Sequence, residues 1–165
     1  GGSDPDFAAQ ALAASKEETP TNDTPHGERR TAARVLCVPL RDKADEITSR
    51  MLGQLLQSEG FQVDSESSDS LASEVVERVA ASDTDLVVIS VLPPIRPRES
   101  RLLWKRLRHR YPDLPIIVGY WIGSNVTESL LRPPGDDASK VATTLSEAIT
   151  LVRSAAAQRQ LAKAV

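Results

Sequence analysis

Asp85-Leu86-Val87-Val88-Ile89-Ser90-Val91 is the stretch on which the fold turns. Apart from Asp85 and Ser90 every residue in it is apolar, and Val87, Val88, Ile89 and Val91 are β-branched. A strand with one wet face alternates apolar with polar side chains. This run does not, so it reads as a central strand of a parallel sheet, covered on both faces.

Working outward from it, strand and helix patterns alternate. Toward the carboxyl end, a Pro93-Pro94 turn leads into a helix over 97–110 carrying Leu102, Leu103 and Leu107. Tyr111 to Pro115 punctuates, 116–120 is a strand, and 140–143 is a further short one. Thr144-Leu145-Ser146-Glu147 is a capping box that opens a last helix to about Gln160. Toward the amino end, 70–81 places Leu71, Val75, Val76 and Val79 on one helical face, and 61–64 is a brief strand. Residues 42–59 carry Ile47, Met51, Leu52, Leu55 and Leu56 at helical spacing, with Gly60 as the cap. Residues 34–40 form the first strand. Strands alternating with amphipathic helices imply right-handed crossovers and a doubly wound α/β domain, a flavodoxin-like five-stranded parallel sheet in the order 2-1-3-4-5. Between 123 and 139 the pattern weakens to a short helix over 126–131 and a loop at 133–137.

The chain has 165 residues, which suggests one domain, with a net charge of −3, 40% hydrophobic and 26% charged residues. Residues 1–31 are rich in Ser, Thr, Asp, Glu, Pro and Gly and cannot bury enough surface to offset their ordering entropy. They read as a disordered arm, with a transient helical turn at Phe7 to Ala14. The domain is expected over 32–160 and a flexible tail over 161–165. No apolar run is long enough to span a membrane. The acids near the amino terminus argue against an export signal, and the balance of charge gives no case for nucleic acid. The lone Cys37 has no disulfide partner, no Cys/His cluster has metal-ligand spacing, and a reducing cytoplasmic setting fits best.

In such a sheet ligands bind outside the strand carboxyl ends, at the point where strand order reverses. That rim is built from 40–45, 65–68, 90–94, 119–124 and Thr143-Thr144. PLRDKADE (39–46) holds neither a G-x-G-x-x-G nor a Walker pattern. Asp42-Lys43-Ala44-Asp45-Glu46-Ile47 after the first strand, Ser90-Val91-Leu92 after the third and Gly119-Tyr120 after the fourth resemble the motifs of cobalamin-binding domains over roughly 33–155. Those domains carry Asp-x-His-x-x-Gly, Ser-x-Leu and Gly-Gly at these places. Here Ala44, or Asp45 on a one-residue shift, stands where the cobalt-ligating histidine belongs. Tyr120 and Trp121 replace the small residues that leave room for the cofactor's nucleotide tail. The rim Asp42, Asp45, Ser90, Leu92, Gly119, Tyr120 and Trp121 therefore reads as vestigial, with no cofactor and no metal expected. RVLCVPLRDKADEI (34–47), DLVVISVLPP (85–94) and LPIIVG (114–119) are also similar to the soluble C-terminal domain of bacterial permeases of the autoinducer-2 exporter-like family. That resemblance implies a cytoplasmic module of a larger membrane protein and carries over no catalytic residue.

Several residues admit two readings. Asp42, Asp45 and Glu46 either hold Mg²⁺ in a receiver-type phosphorylation site or start a helix, where acids favour the positive end. Against the first, the third strand ends Ile89-Ser90 with no Asp, and Lys140 precedes the fifth strand instead of following it. Ser90 lacks a rim histidine to act as its base, since His26 lies in the arm and His109 late in a helix. It reads as a buried serine bonded to backbone. Arg98, Arg101, Lys105 and Arg108 form a stripe on the third helix, either an ordinary solvated face or a docking surface for a protein partner or anionic lipid head groups, with Trp104 at its edge. Cys37 reads as inert packing. Tyr120 and Trp121 either gate a pocket or close it.

The expectation is a non-catalytic regulatory or interaction domain, with no catalytic residues and no bound cobalamin. The alternative is a small-ligand sensory module, for cobalamin or a nucleotide, using the strand-end rim.

Overall fold

A computed structural model describes residues 32–95, 97–123 and 139–165. The arm at 1–31 and the helix and loop expected at 126–131 and 133–137 lie outside the described residues. The elements are β1 (Arg34–Pro39), α1 (Lys43–Ser58), β2 (Gln62–Ser65), α2 (Ala72–Ala81), β3 (Leu86–Val91), α3 (Pro97–Arg110), β4 (Ile116–Tyr120), β5 (Ser139–Ala142) and α4 (Leu145–Lys163). The five strands form one parallel sheet in the order β2-β1-β3-β4-β5. This is the flavodoxin-like arrangement expected from the sequence.

The period-two alternation of β3 divides its side chains between two layers. Val87, Ile89 and Val91 pack with α2 and α3 through Val75, Val79, Leu103, Trp104 and Leu107. Leu86 and Val88 pack on the opposite face with α1 and α4 through Leu52, Leu56, Ala148 and Val152. Each fully buried leucine contributes about 1.5–3 kcal/mol relative to an exposed one.

Several devices set the element ends. Asp42 caps α1, its Oδ1 accepting from Ala44 N and Asp45 N, both at 3.0 Å. Gly60, at φ +95°, closes α1 in a Schellman motif, with Gly60 N donating to Gln57 O and Phe61 N to Leu56 O. Thr144 Oγ1 accepts from Glu147 N, but the Glu147 carboxylate reaches back to Thr143 N and Oγ1 instead of closing a box on Thr144.

Three helix readings need correcting. On α1 only Leu52 and Leu56 of the five apolar residues reach the core; Ile47, Met51 and Leu55 face outward, because the inner face is Asp45, Ser49, Leu52, Gly53 and Leu56. Gly53 sits so close to the sheet that a Cβ there would meet Val63 Cγ1 at 3.2 Å. On α2, Leu71 is the exposed N-cap, its N–H donating to Glu74 Oε2. The last helix continues past Gln160 to Lys163, whose Nζ bonds Asp85 Oδ1 beside the Arg34 N–H.

Candidate functional site at the strand carboxyl ends

The strand order reverses between β1 and β3, and the loops that leave these strands are tied to each other. Leu40 N donates to Ser90 O at 3.1 Å. Asp45, wholly buried at the start of α1, accepts from Leu92 N through Oδ1 at 2.7 Å and from Arg41 N through Oδ2 at 3.1 Å. Arg41 in turn donates from Nη2 to Leu92 O at 3.1 Å, with its Nε 3.7 Å from Asp45 and 3.6 Å from Glu99. The switch-point crevice is thus spanned by the protein's own carboxylate and guanidinium. Burial raises the Asp45 pKa, aided by the Asp42 charge, while the Leu92 N–H, the Arg41 charge and the Arg41 N–H oppose the rise.

This places the acidic group of the sequence in distinct roles. Asp42 is an exposed N-cap, Asp45 a buried tie between loops, and Glu46 a tie to the β2–α2 loop. Glu46 Oε2 accepts from Ser68 N, Ser68 Oγ and Lys43 Nζ, and Oε1 from Arg50 Nη2 at 2.6 Å. These donors, Ser68 N–H foremost, hold its pKa down at about 2. Among the described residues no group of three or more His, Cys, Asp or Glu side chains is placed to hold a metal ion.

Tyr120 and Trp121 part company. Tyr120 is buried in the α2/α3 layer, its hydroxyl 2.8 Å from Ser100 Oγ, and burial raises its pKa. Trp121 turns to the α1/α4 layer and lies over Gly119, where a Cβ would come within 2.2 Å of the indole Cη2. Only Trp121 therefore fills space beside Gly119 on the α1/α4 face; Tyr120 does not share that slot. Ser90, paired in register with Gly119, belongs to the same face by alternation with Val88. Among the described residues its hydroxyl is buried with no hydrogen-bond partner, where a backbone bond was expected, and Ser49 Oγ on the inner face of α1 and Trp121 Nε1 share that condition. Leu92 contributes its backbone groups, as the partner of Asp45 and Arg41.

The basic stripe also divides. Arg98 and Lys105 are exposed, and Arg101 is half-buried beside the Tyr120 phenol. Arg108 is committed to the fold: Nη1 donates to Pro112 O and Leu114 O, and Nη2 to Ser139 Oγ. Trp104 is buried, with Nε1 donating to Ser139 Oγ at 2.6 Å. The open face of α3 is instead Arg98, Leu102, Lys105, Arg106 and His109, with Leu102 54% exposed among the cations. Arg106 and Leu102 fell outside the expected stripe because it was drawn through Arg108. Cys37 is buried, and burial alone lifts its thiol to about 12, which suits packing.

Two open grooves, of about 560 and 350 Å³, lie at the amino ends of the strands, lined by Pro115, Leu151 and Arg159 in one and by Thr84, Tyr111 and Leu114 in the other. Neither is at the switch point.

No protein-family model and no curated protein matches the chain. Solved structures do. A cobalamin-binding protein from Desulfitobacterium hafniense is 17% identical with a TM-score of 0.61, over 74% of this chain and 58% of that one. The monomethylamine corrinoid protein of Methanosarcina barkeri is 18% identical with a TM-score of 0.55, over 73% and 56%. What is shared is the fold. An orphan response regulator of H. pylori, 15% identical with a TM-score of 0.51 over 77% and 98%, has it too. The chain spans less than two thirds of the length of the two cobalamin-type structures. No helix among the described residues is long and apolar enough to cross a membrane.

Proposed function

We propose that this is a non-catalytic regulatory or interaction domain, working without cobalamin as the cytoplasmic module of, or a relative of, a membrane permease. The observation that carries this reading is the open face of α3. The helix bears six cations against one acid on a chain whose net charge is −3. Arg98, Lys105 and Arg106 remain exposed around Leu102 after Arg108 has been drawn into the fold. Cations around an exposed leucine suit anionic lipid head groups, with each basic residue near the surface adding about 1 kcal/mol.

The rim supports the cofactor-free part of the reading. No imidazole stands at Ala44 or Asp45, Asp45 is occupied by two backbone N–H groups, and Trp121 fills the space beside Gly119, where the resemblance to cobalamin-binding domains would put the nucleotide tail. The residues present do not fit cobalamin. One observation favours the second reading, a small-ligand sensory module: among the described residues the Ser49 and Ser90 hydroxyls on the α1/α4 face are buried and without a hydrogen-bond partner.

Sedimentation with vesicles tests the first reading. The parent protein is expected to pellet with phosphatidylglycerol-containing vesicles and not with phosphatidylcholine alone, less so as salt rises. Arg98→Glu, Lys105→Glu and Arg106→Glu together are expected to abolish pelleting. A parent protein that never pellets removes the membrane-docking reading.

A further inference from the structure

The outer face of α1 carries an apolar stripe among its polar side chains. Ile47, Met51 and Leu55, spaced by four residues, are 61%, 49% and 40% exposed. They form a stripe about 12 Å long, turned away from the core that Leu52 and Leu56 enter. Nothing among the described residues covers it.

We propose that Phe7–Ala14 of the amino-terminal arm docks on this stripe in the same chain. Phe7 and Leu12 are the only large apolar side chains of the first 31 residues, and alanines flank them. The arm joins the fold beside the carboxyl end of α1: Ala33 O accepts from Gln62 N at 3.0 Å, and Phe61 N closes the helix on Leu56 O. From Ala14 to Ala33 the chain reaches up to roughly 60 Å when extended, well beyond the roughly 24 Å length of α1.

Charge sets the direction. Asp4 and Asp6 precede Phe7, while Lys43 and Arg50, with side chains 70% and 67% exposed, stand on the amino-terminal half of α1. Acids against these cations place Phe7 near Ile47 and Leu12 toward Leu55, and the chain then leaves α1 at the end nearest Ala33. A stripe of three side chains is small beside the roughly 800 Å² per partner of a standard interface. It suits a short tethered segment, whose effective concentration is high, better than a second copy.

Met51 is the single methionine of the chain, so one isotope-labelled methyl resonance reports on the stripe. In the full chain it is expected upfield of the random-coil position, through the Phe7 ring, and independent of protein concentration. Phe7→Ser with Leu12→Ser is expected to return it downfield with an unchanged circular dichroism spectrum. In the converse experiment, Met51→Gln is expected to speed trypsin cleavage after Lys16 several-fold. A resonance unmoved by the arm substitutions overturns the proposal. So does one that moves with concentration, which assigns the stripe to a second copy, and so does cleavage after Lys16 at an unchanged rate.

Discussion

Asp45 Oδ1 accepts the Leu92 N–H at 2.7 Å, joining residues 47 apart in sequence across the point where the strand order reverses. The same carboxylate takes the Arg41 N–H. Asp45→Ala leaves two N–H groups without their acceptor, each worth about 1–3 kcal/mol when buried and unsatisfied. A loss of about 2–6 kcal/mol is expected in urea unfolding. Asp45→Asn keeps an acceptor and is expected to lose less; an Asp45→Ala protein as stable as the parent refutes the tie.

Gly119 and Trp121 form a second coupled pair. Gly119→Ala pushes a methyl into the indole and is expected to cost about 1–3 kcal/mol, the usual range for overpacking. Combining it with Trp121→Ala should recover part of that cost, so the double-mutant cycle is non-additive. Additive effects would mean the indole does not hold the position described. Adding hydroxocobalamin to the parent is expected to leave its absorbance spectrum unchanged, and a shifted spectrum that co-elutes with the protein would contradict the cofactor-free reading.

The cations of α3 divide into one bonded into the fold, Arg108, and exposed ones, Arg98 and Lys105, to which the proposal assigns docking. Arg108→Ala removes donors to Pro112 O, Leu114 O and Ser139 Oγ. It is expected to cost about 1.5–3 kcal/mol, the range for bonds made by charged groups, and to leave vesicle binding intact. Arg98→Glu and Lys105→Glu are expected to do the reverse, with stability within about 0.5 kcal/mol of the parent. Equal stability losses at all three positions would remove the distinction.

Acid stability should be governed by Glu46. Its pKa falls from 4.5 unfolded to about 2 folded. Its contribution is therefore complete above 4.5 and lost as the pH drops toward 2. Asp45, raised above its ordinary 3.8, acts in the opposite sense: its contribution is present at low pH and fades as pH rises through the raised value. Urea midpoints measured across pH 2 to 7 should show a slope between about 4.5 and 2 that Glu46→Gln abolishes. An unchanged slope in Glu46→Gln would assign the acid sensitivity elsewhere.

The sheet was legible because β1, β3 and β4 are near-continuous apolar runs, interrupted only by Arg34 and Ser90, and a buried parallel strand has little other way to be written. The rim was legible in place but not in detail. Trp121 and Tyr120 were treated as one block, although adjacent residues at a strand end point to opposite faces. The inner face of α1 was obscured because its polar members, Asp45 and Ser49, stand at core spacing from Leu52 and Leu56. A hydropathy pattern assigns such residues to water, whereas here backbone N–H groups across the switch point draw Asp45 inward. Arg108 gave a faint signal: a cation in the last helical turn often serves nearby carbonyls.

The opposed directions of Tyr120 and Trp121 make the two layers of this domain separately editable. Substitution at Trp121 alters volume in the α1/α4 layer and leaves the Tyr120–Ser100 contact that anchors α3 untouched. A designer who wishes to seat a new ligand under α1 can therefore carve that side while the exposed basic face of α3 stays unchanged.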